Sequence, residues 1–228
     1  YSRFDWNIPY MKPQYNGGGN CVHWISDIKL SPFDSDTALF NTGTGLFMIT
    51  GLASGNVLVK PFCEGIEETV HLNVYTTPHG RNRIIDIIGD LGGFAFKNYD
   101  SECENSFANE NGDRYITCLN ADLTLSEPEY IVATPRGNWT DKTKGGLILS
   151  KDCGSTWERL PMPRGLSEFI DQKLDNIEKP NVNSGWTAIS ADGKRIMWAV
   201  AGDRGFSNKA VCYTDNEGKT WQKSVFMD

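Results

Sequence analysis

The sequence is poor in the residues on which most catalytic motifs depend. Three histidines, His23, His71 and His79, are all that 228 residues provide. Their spacing suits neither a metal nor a catalytic triad, and no G-x-S-x-G or Walker-type loop occurs. Hydrolysis by an activated serine or cysteine is therefore unsupported. Six cysteines (Cys21, Cys63, Cys103, Cys118, Cys153, Cys212) include no CxxC pair and no Cys/His cluster with zinc spacing. No metal or organic cofactor is implied. No run of 18 apolar residues exists, which excludes a transmembrane helix and argues against a membrane partner. Positive charge is scarce too: 22 Lys and Arg face 29 Asp and Glu, a net charge of −7 that argues against nucleic acid. A neutral or cationic ligand fits better.

What is abundant is turn-forming and aromatic residues. With 39% apolar content, 23 Gly and 10 Pro the chain is too turn-rich for a helical bundle, and an all-β fold is expected. Seven Trp are more than a core alone usually needs, so part of that indole is expected to form a binding surface. The even cysteine count permits disulfides. Cys103 and Cys118 flank the polar segment 104–117, where a bridge would staple a long loop; buried free thiols are the alternative. Asn138-Trp139-Thr140 is a glycosylation sequon in a Gly/Pro-rich turn, which points to a secreted glycoprotein. The chain begins at Tyr1 with no basic or apolar leader, as expected of a processed chain or an internal piece of a longer one.

Along the chain one pattern recurs: an alternating strand, a Pro/Asp/Gly turn, an apolar β-branched strand, a Gly turn, and a third strand. The repeats begin near residues 27, 70, 121 and 186, which gives blade-like units near 24–62, 63–100, 115–160 and 185–228 after a leading segment, 1–23. Repeated antiparallel meanders of this length are the signature of β-propeller blades, each burying its faces only against its neighbours. About four blades make residues 1–228 a partial propeller domain, an arc of a larger ring. Two segments interrupt the pattern. Residues 102–114 are polar and Gly/Asn-rich, and residues 161–184 carry an apolar stripe (Leu166, Phe169, Ile170, Leu174) at helical spacing; both read as long loops, the second with a short capping helix.

Ser150-Lys151-Asp152-Cys153-Gly154-Ser155-Thr156-Trp157 matches the Asp-box pattern S-x-D-x-G-x-T-W at every defined position. In such a hairpin Asp152 accepts turn N–H groups, Gly154 supplies a positive φ, and Trp157 packs between sheets. Thr214 to Trp221 repeats it with Asn216 in the acidic position, followed by Gly218 and Trp221. These residues, Asp152 included, read as structural.

Carboxylates remain as the chemistry-bearing groups, and glycoside hydrolysis needs two of them beside aromatic platforms. Asp90, at the end of the apolar strand 83–88 and followed by Gly92 and Gly93, is the candidate. Apolar surroundings there would raise its carboxyl and suit it to general-acid work, while the glycines would let a polymer approach the backbone. The plain alternative is a turn Asp bonded to its own backbone. For stacking on sugar rings the candidates are Trp24, Trp6 and Tyr10, with Tyr15 and Trp139 behind them.

Cys63-Glu64-Gly65-Ile66-Glu67-Glu68-Thr69 and Gly89-Asp90-Leu91-Gly92-Gly93-Phe94 resemble the E-G-I-E-E-T and G-D-[IL]-G-G-F blocks of glycoside hydrolase family 74, the xyloglucan-active endoglucanases. Trp24 to Asp36 and Thr42-Gly43-Thr44-Gly45 resemble the blocks upstream. The match runs from about Trp24 to Trp221, while residues 1–19 fit poorly and 102–114 look inserted. The resemblance implies two seven-bladed propellers with the glucan in the cleft between them and one catalytic Asp from each. This chain would be the first half or so of the second propeller, and Asp90 its general acid in an inverting endo-β-1,4-glucanase. The second carboxylate would come from remaining propeller segments, covalent or on a companion chain. A non-catalytic carbohydrate-binding or protein-binding Asp-box propeller is the alternative. A sialidase is disfavoured because no arginine triad is discernible.

Overall fold

The computed structural model describes residues 3–4, 24–43, 45–65, 69–78, 80–103, 106–126, 129–137, 145–163, 182–202 and 211–224, with backbone alone at 3–4, 182–184 and 201–202. Every regular element among them is a strand. The chain divides into two compact units, Tyr1–Thr69 and Val70–Asp228.

The first unit is one five-stranded sheet. β2 (Asp27–Leu30), β3 (Ala38–Thr42), β4 (Gly45–Thr50) and β5 (Leu58–Pro61) form an antiparallel meander, and β1 (Arg3–Phe4) adds to the outer edge parallel to β5. Phe40 and Phe47 face each other across β3 and β4 and stack at 5.3 Å. At the first turn Asp34 accepts the Asp36 N–H and the Thr37 hydroxyl, and Asp36 accepts the N–H groups of Gly51 and Ala53. These short Asp side chains therefore replace the ladder where the chain reverses.

Among the described residues the second unit holds three sheets. β6 (His71–Thr76), β7 (Ile84–Ile88) and β8 (Gly92–Phe96) make the first; β9 (Cys118–Leu123), β10 (Ile131–Pro135), β11 (Ile148–Ser150) and β12 (Glu158–Arg159) the second; β13 (Val182–Ile189), β14 (Ile196–Gly202), β15 (Val211–Thr214) and β16 (Gln222–Lys223) the third. The middle sheet is apolar on both faces, as a sheet between two others must be. Ala121, Ile131, Ala133 and Ile148 pack on Ile85, Ile87 and Ala95 of the first sheet. Val132, Leu147 and Leu149 pack on Ile189, Ile196, Trp198, Val200 and Cys212 of the third.

The first strands of the three sheets run beside one another. Tyr75 Oη of β6 accepts the Ala121 N–H of β9 at 3.3 Å, and Asn120 Oδ1 of β9 accepts the Thr187 N–H of β13 at 2.7 Å. Asp122 accepts the Ile189 N–H at 2.9 Å, and Thr134 donates to the Gly185 carbonyl at 2.8 Å. Polar side chains thus satisfy backbone groups that have no strand beside them, which fixes each sheet against the next. Successive meanders stacked face to face by their first strands are propeller blades, and the fold is all-β of that kind.

Three expectations are corrected. Among its described residues the 102–114 segment is a loop, as expected, but it is not polar throughout: Cys103, Ser106 and Phe107 are buried, Phe107 lies 4.3 Å from the Trp157 ring, and Ser106 bridges to Phe94 at the β8 edge, with the buried Tyr115 and Ile116 following it. The insertion fills the flank of a sheet that has three strands among the described residues. Cys103 and Cys118 are not joined; with Cys153 and Cys212 they are free buried thiols, and among the described residues no disulfide forms. Burial pushes the Cys103 thiol up to about 11, Cys212 up to about 12, and Cys118 higher still. The third correction, the surroundings of Asp90, belongs to the site. The short helix expected on the stripe Leu166 to Leu174 lies outside the described residues, and the last residues of the 161–184 segment belong to β13.

Candidate active site

The site is built on the β7–β8 hairpin. β7 reads Ile84-Ile85-Asp86-Ile87-Ile88 and is buried throughout, so the strand end is rigidly placed. Ile88 pairs with Gly92, which leaves the three-residue loop Gly89-Asp90-Leu91. The loop is clamped on both sides. The Gly89 N–H donates to the Val70 carbonyl at 2.8 Å, and the Asp90 N–H donates to Thr117 Oγ1 at 2.9 Å. Asp90 has φ of 62°, a left-handed conformation that Asp tolerates better than most residues.

Asp90 is exposed, and not enclosed by apolar side chains as the sequence suggests. Among the described residues its carboxylate makes no hydrogen bond or ion pair; the anchoring is through its amide. The strand turns four residues after its buried carboxyl, and the apolar side chains of β7 lie below the loop.

The buried carboxyl is Asp86. Burial raises it above its ordinary value, and contact with His71 pulls the other way without prevailing. His71 Nδ1 lies 3.0 Å from Oδ1 and 2.8 Å from Oδ2 of Asp86, with the imidazole itself largely exposed. Sequence spacing does not suggest this pair, because the two residues are 15 apart. The signal lies in the hairpin register, where His71 sits opposite Ile88 and Asp86 opposite Val74, a diagonal that β-pairing brings together.

Gly92 and Gly93 are buried, and the space at each is taken by the protein. A Cβ at Gly92, where φ is 82°, would collide with the Tyr115 carbonyl; one at Gly93 would lie 2.7 Å from the Phe107 ring and 2.6 Å from the Asp86 carbonyl oxygen. These glycines admit the 106–117 segment, so the expectation that they open the backbone to a polymer is replaced by a packing role. Trp24, in the first unit, is 77% exposed with φ of 54°. Trp6, Tyr10, Tyr15 and Trp139 lie outside the described residues.

The two octads singled out in the sequence form matching turns. In the first, Asp152 accepts the Thr156 N–H at 2.8 Å, the Thr156 hydroxyl at 2.7 Å and the Ser150 hydroxyl at 2.8 Å. Ser150 Oγ accepts the Gly154 N–H, and the Trp157 indole donates to the Gly154 carbonyl. Partial burial works to raise the Asp152 carboxyl, but the hydrogen bonds from Thr156 and Ser150 outweigh it and hold the group below its ordinary value. In the second, Asn216 Oδ1 accepts the Thr220 N–H at 2.9 Å and its amide donates to Thr220 Oγ1, while Thr214 Oγ1 accepts the Gly218 N–H. Gly154 (φ 81°) sits against Ile85 and Ala95, and Gly218 (φ 81°) against Pro161. The first turn is pressed onto the sheet before its own, and the second onto the chain just after β12.

No group of three or more His, Cys, Asp or Glu among the described residues is arranged to hold a metal. No helix among them is long and apolar enough to cross a membrane.

No protein-family model matches the chain. Individual relatives do. A xyloglucanase of Paenibacillus sp is 24% identical over 207 residues, 88% of this chain and 18% of that protein. A xyloglucanase of Acetivibrio thermocellus is 25% identical over 224 residues, 96% of this chain and 23% of that one. The oligoxyloglucan-reducing end-specific xyloglucanase of Emericella nidulans is 28% identical over 185 residues, 78% of this chain and 21% of that one. The GH74 xyloglucanase of Xanthomonas campestris matches in three dimensions with a TM-score of 0.72 at 21% identity, covering 100% of this chain and 29% of that structure. The chain is thus similar in sequence to xyloglucanases and in fold to part of a GH74 structure. The GH74 enzyme of Niastella koreensis agrees, with a TM-score of 0.69 at 19% identity over 97% of this chain and 26% of its own. The chain spans roughly a fifth of the length of the curated xyloglucanases it matches, between 18% and 23%. Its fold therefore matches part of the GH74 propeller structures.

Proposed function

We propose that this chain is the half-site of an inverting endo-β-1,4-glucanase acting on xyloglucan or a related branched β-glucan, with Asp90 as its general acid. The observation that carries the reading is the Asp90 loop: a carboxylate on a buried strand's end, anchored through its amide and exposed, with no hydrogen bond or ion pair among the described residues. Similarity to xyloglucanases supports the substrate class. In an inverting pair the two carboxyl groups stand ~6.5–9.5 Å apart with a water between them. The second carboxylate is assigned to propeller segments that this chain does not include, covalent or associated. Those segments and the bound glucan are also assigned the desolvating wall that keeps a general acid protonated, because this chain leaves Asp90 open to water. Trp24, Trp6 and Tyr10 are proposed to stack on the sugar rings, and secretion is proposed from the sequon at Asn138.

The test is hydrolysis of xyloglucan by the complete assembly, with the anomeric configuration of the first product followed by NMR. Inverted product and a loss of turnover in Asp90→Ala of about 10²–10⁴-fold are expected. Undiminished turnover rejects the assignment, and affinity for glucan without new reducing ends favours the binding-module alternative.

A further inference from the structure

Among the described residues that are not glycine, five have a positive φ: Trp24, Asp90, Thr117, Cys153 and Glu217. Cys153 and Glu217 hold equivalent places in the two octad turns, where the residue before the glycine curls to close the hairpin. Thr117 belongs to no hairpin and is β-branched, the class for which a φ of 44° is a true outlier. Such strain persists only where the surroundings over-determine it, and it clusters where geometry matters to function.

The surroundings here do over-determine it. Tyr115 donates its N–H to the Phe107 carbonyl, whose own residue donates to Gly93 at the start of β8. Ile116 donates to the Gly137 carbonyl and accepts from the Arg136 N–H. The Tyr115 carbonyl occupies the place of a side chain at Gly92. Segment 115–117 is thus gripped by β8 on one side and by 136–137 on the other just before it enters β9. The strained Thr117 turns its hydroxyl to accept the Asp90 N–H at 2.9 Å. Two left-handed residues from different sheets are joined by that one bond, and one of them carries the solvent-facing carboxylate.

We propose that Thr117 is a positioning residue for Asp90: its hydroxyl, aimed by a strained backbone, fixes the loop amide and so the direction of the carboxylate. This deepens the reading of Asp90 as the general acid and rests on it. The contact is to the backbone of Asp90, so the loop would keep its hairpin pairing without it while the carboxylate would lose its fixed direction. A displacement of about 1 Å in a reacting group can cost 10²-fold in rate.

The experiment compares Thr117→Val, Thr117→Ala and Thr117→Ser, each alone and with Asp90→Ala, in the complete assembly on xyloglucan. Val and Ala are expected to lower kcat by about 10- to 100-fold with KM within about twofold, because aim and not substrate binding is lost. Ser keeps the hydroxyl and is expected to stay within about twofold of the parent. In the Asp90→Ala background none of the three should lower kcat further. Amide hydrogen exchange at residue 90 should speed up in Val and Ala and not in Ser. If Val misfolds, Ala, which relieves the β-branched strain, carries the comparison. Full activity in Val or Ala with Asp90→Ala inactive overturns the role of Thr117 alone, as does a Ser variant as slow as Val. Full activity in Asp90→Ala overturns the assignment of Asp90 and the role of Thr117 with it, and the two failures are told apart by that variant.

Discussion

Asp90 and Asp152 both sit in hairpin turns beside glycine, yet the two turns use the carboxylate in opposite ways. Asp152 spends both oxygens inside its own turn, on Thr156 and Ser150. Asp90 spends none among the described residues and is held by its amide instead. A carboxylate that closes a turn is saturated with donors and held in its charged form, unfit to give a proton; one held by its backbone is left free to react. The comparison teaches that the motif around an Asp matters less than which of its atoms the turn consumes.

The largest effects should separate these two residues cleanly. Asp90→Ala is expected to abolish nearly all turnover, about 10²–10⁴-fold, while lowering the melting temperature by only about 2–4 °C, the cost of an alanine at positive φ, since no side-chain bond among the described residues is lost. A large drop in melting temperature would place Asp90 with the structural turns. Next comes Trp157→Ala. Trp157 is buried against Phe107, so about 3–5 kcal/mol of unfolding free energy should be lost in denaturant titration. Trp221, half-buried with its indole donating to the Pro161 carbonyl, should cost visibly less in the same assay. Equal losses would mean the two turns are interchangeable, which their packing contradicts.

Asp152→Ala should cost about 1–3 kcal/mol at neutral pH, because three donors lose their acceptor. Asp152→Asn should cost less, since Asn216 makes the corresponding bonds in the sister turn. The acid limb sharpens this. Asp152 binds its proton more weakly folded than unfolded, so its contribution is complete above the unfolded value near 3.8 and disappears as pH falls through the lower folded value. The gap in stability between the parent and Asp152→Asn should therefore close as pH drops below about 3.8, and a gap that widens would mean that Asp152 binds its proton more tightly folded than unfolded. The smallest effect belongs to Asn216→Asp. Turning neutral acceptors into charged ones should add about 1 kcal/mol at neutral pH and nothing in acid, read by the same titrations.

Much of this was legible in the order of residues. The apolar β-branched run in 84–88, the Pro/Asp/Gly turns and the spacing of Trp157 and Trp221 mark strands and reversals locally, because side-chain burial and φ preference act within a few residues. The octad turns are local in the same sense, every bond of Asp152 reaching no more than four residues. What was not legible is what crosses between sheets. Phe107 sits in a stretch that reads as polar loop, yet the gap beside β8 and the Trp157 ring make it core. Gly92 and Gly93 read as an opening for ligand, yet Tyr115 and Phe107 fill them. The His71–Asp86 pair needed the hairpin register, and the Thr117–Asp90 bond needed two sheets to meet.

The sequence by itself determined an all-β chain of repeated meanders, the positions of its turns, and which Asp ends the apolar strand. These depend on periodicity and backbone preference, which a short window contains. Tertiary structure alone decided that this Asp is exposed, that Asp86 is the buried carboxyl, and that a strained threonine 27 residues away holds the loop. Burial and long-range hydrogen bonds are properties of neighbours, and the packing of one sheet on the next chooses those neighbours.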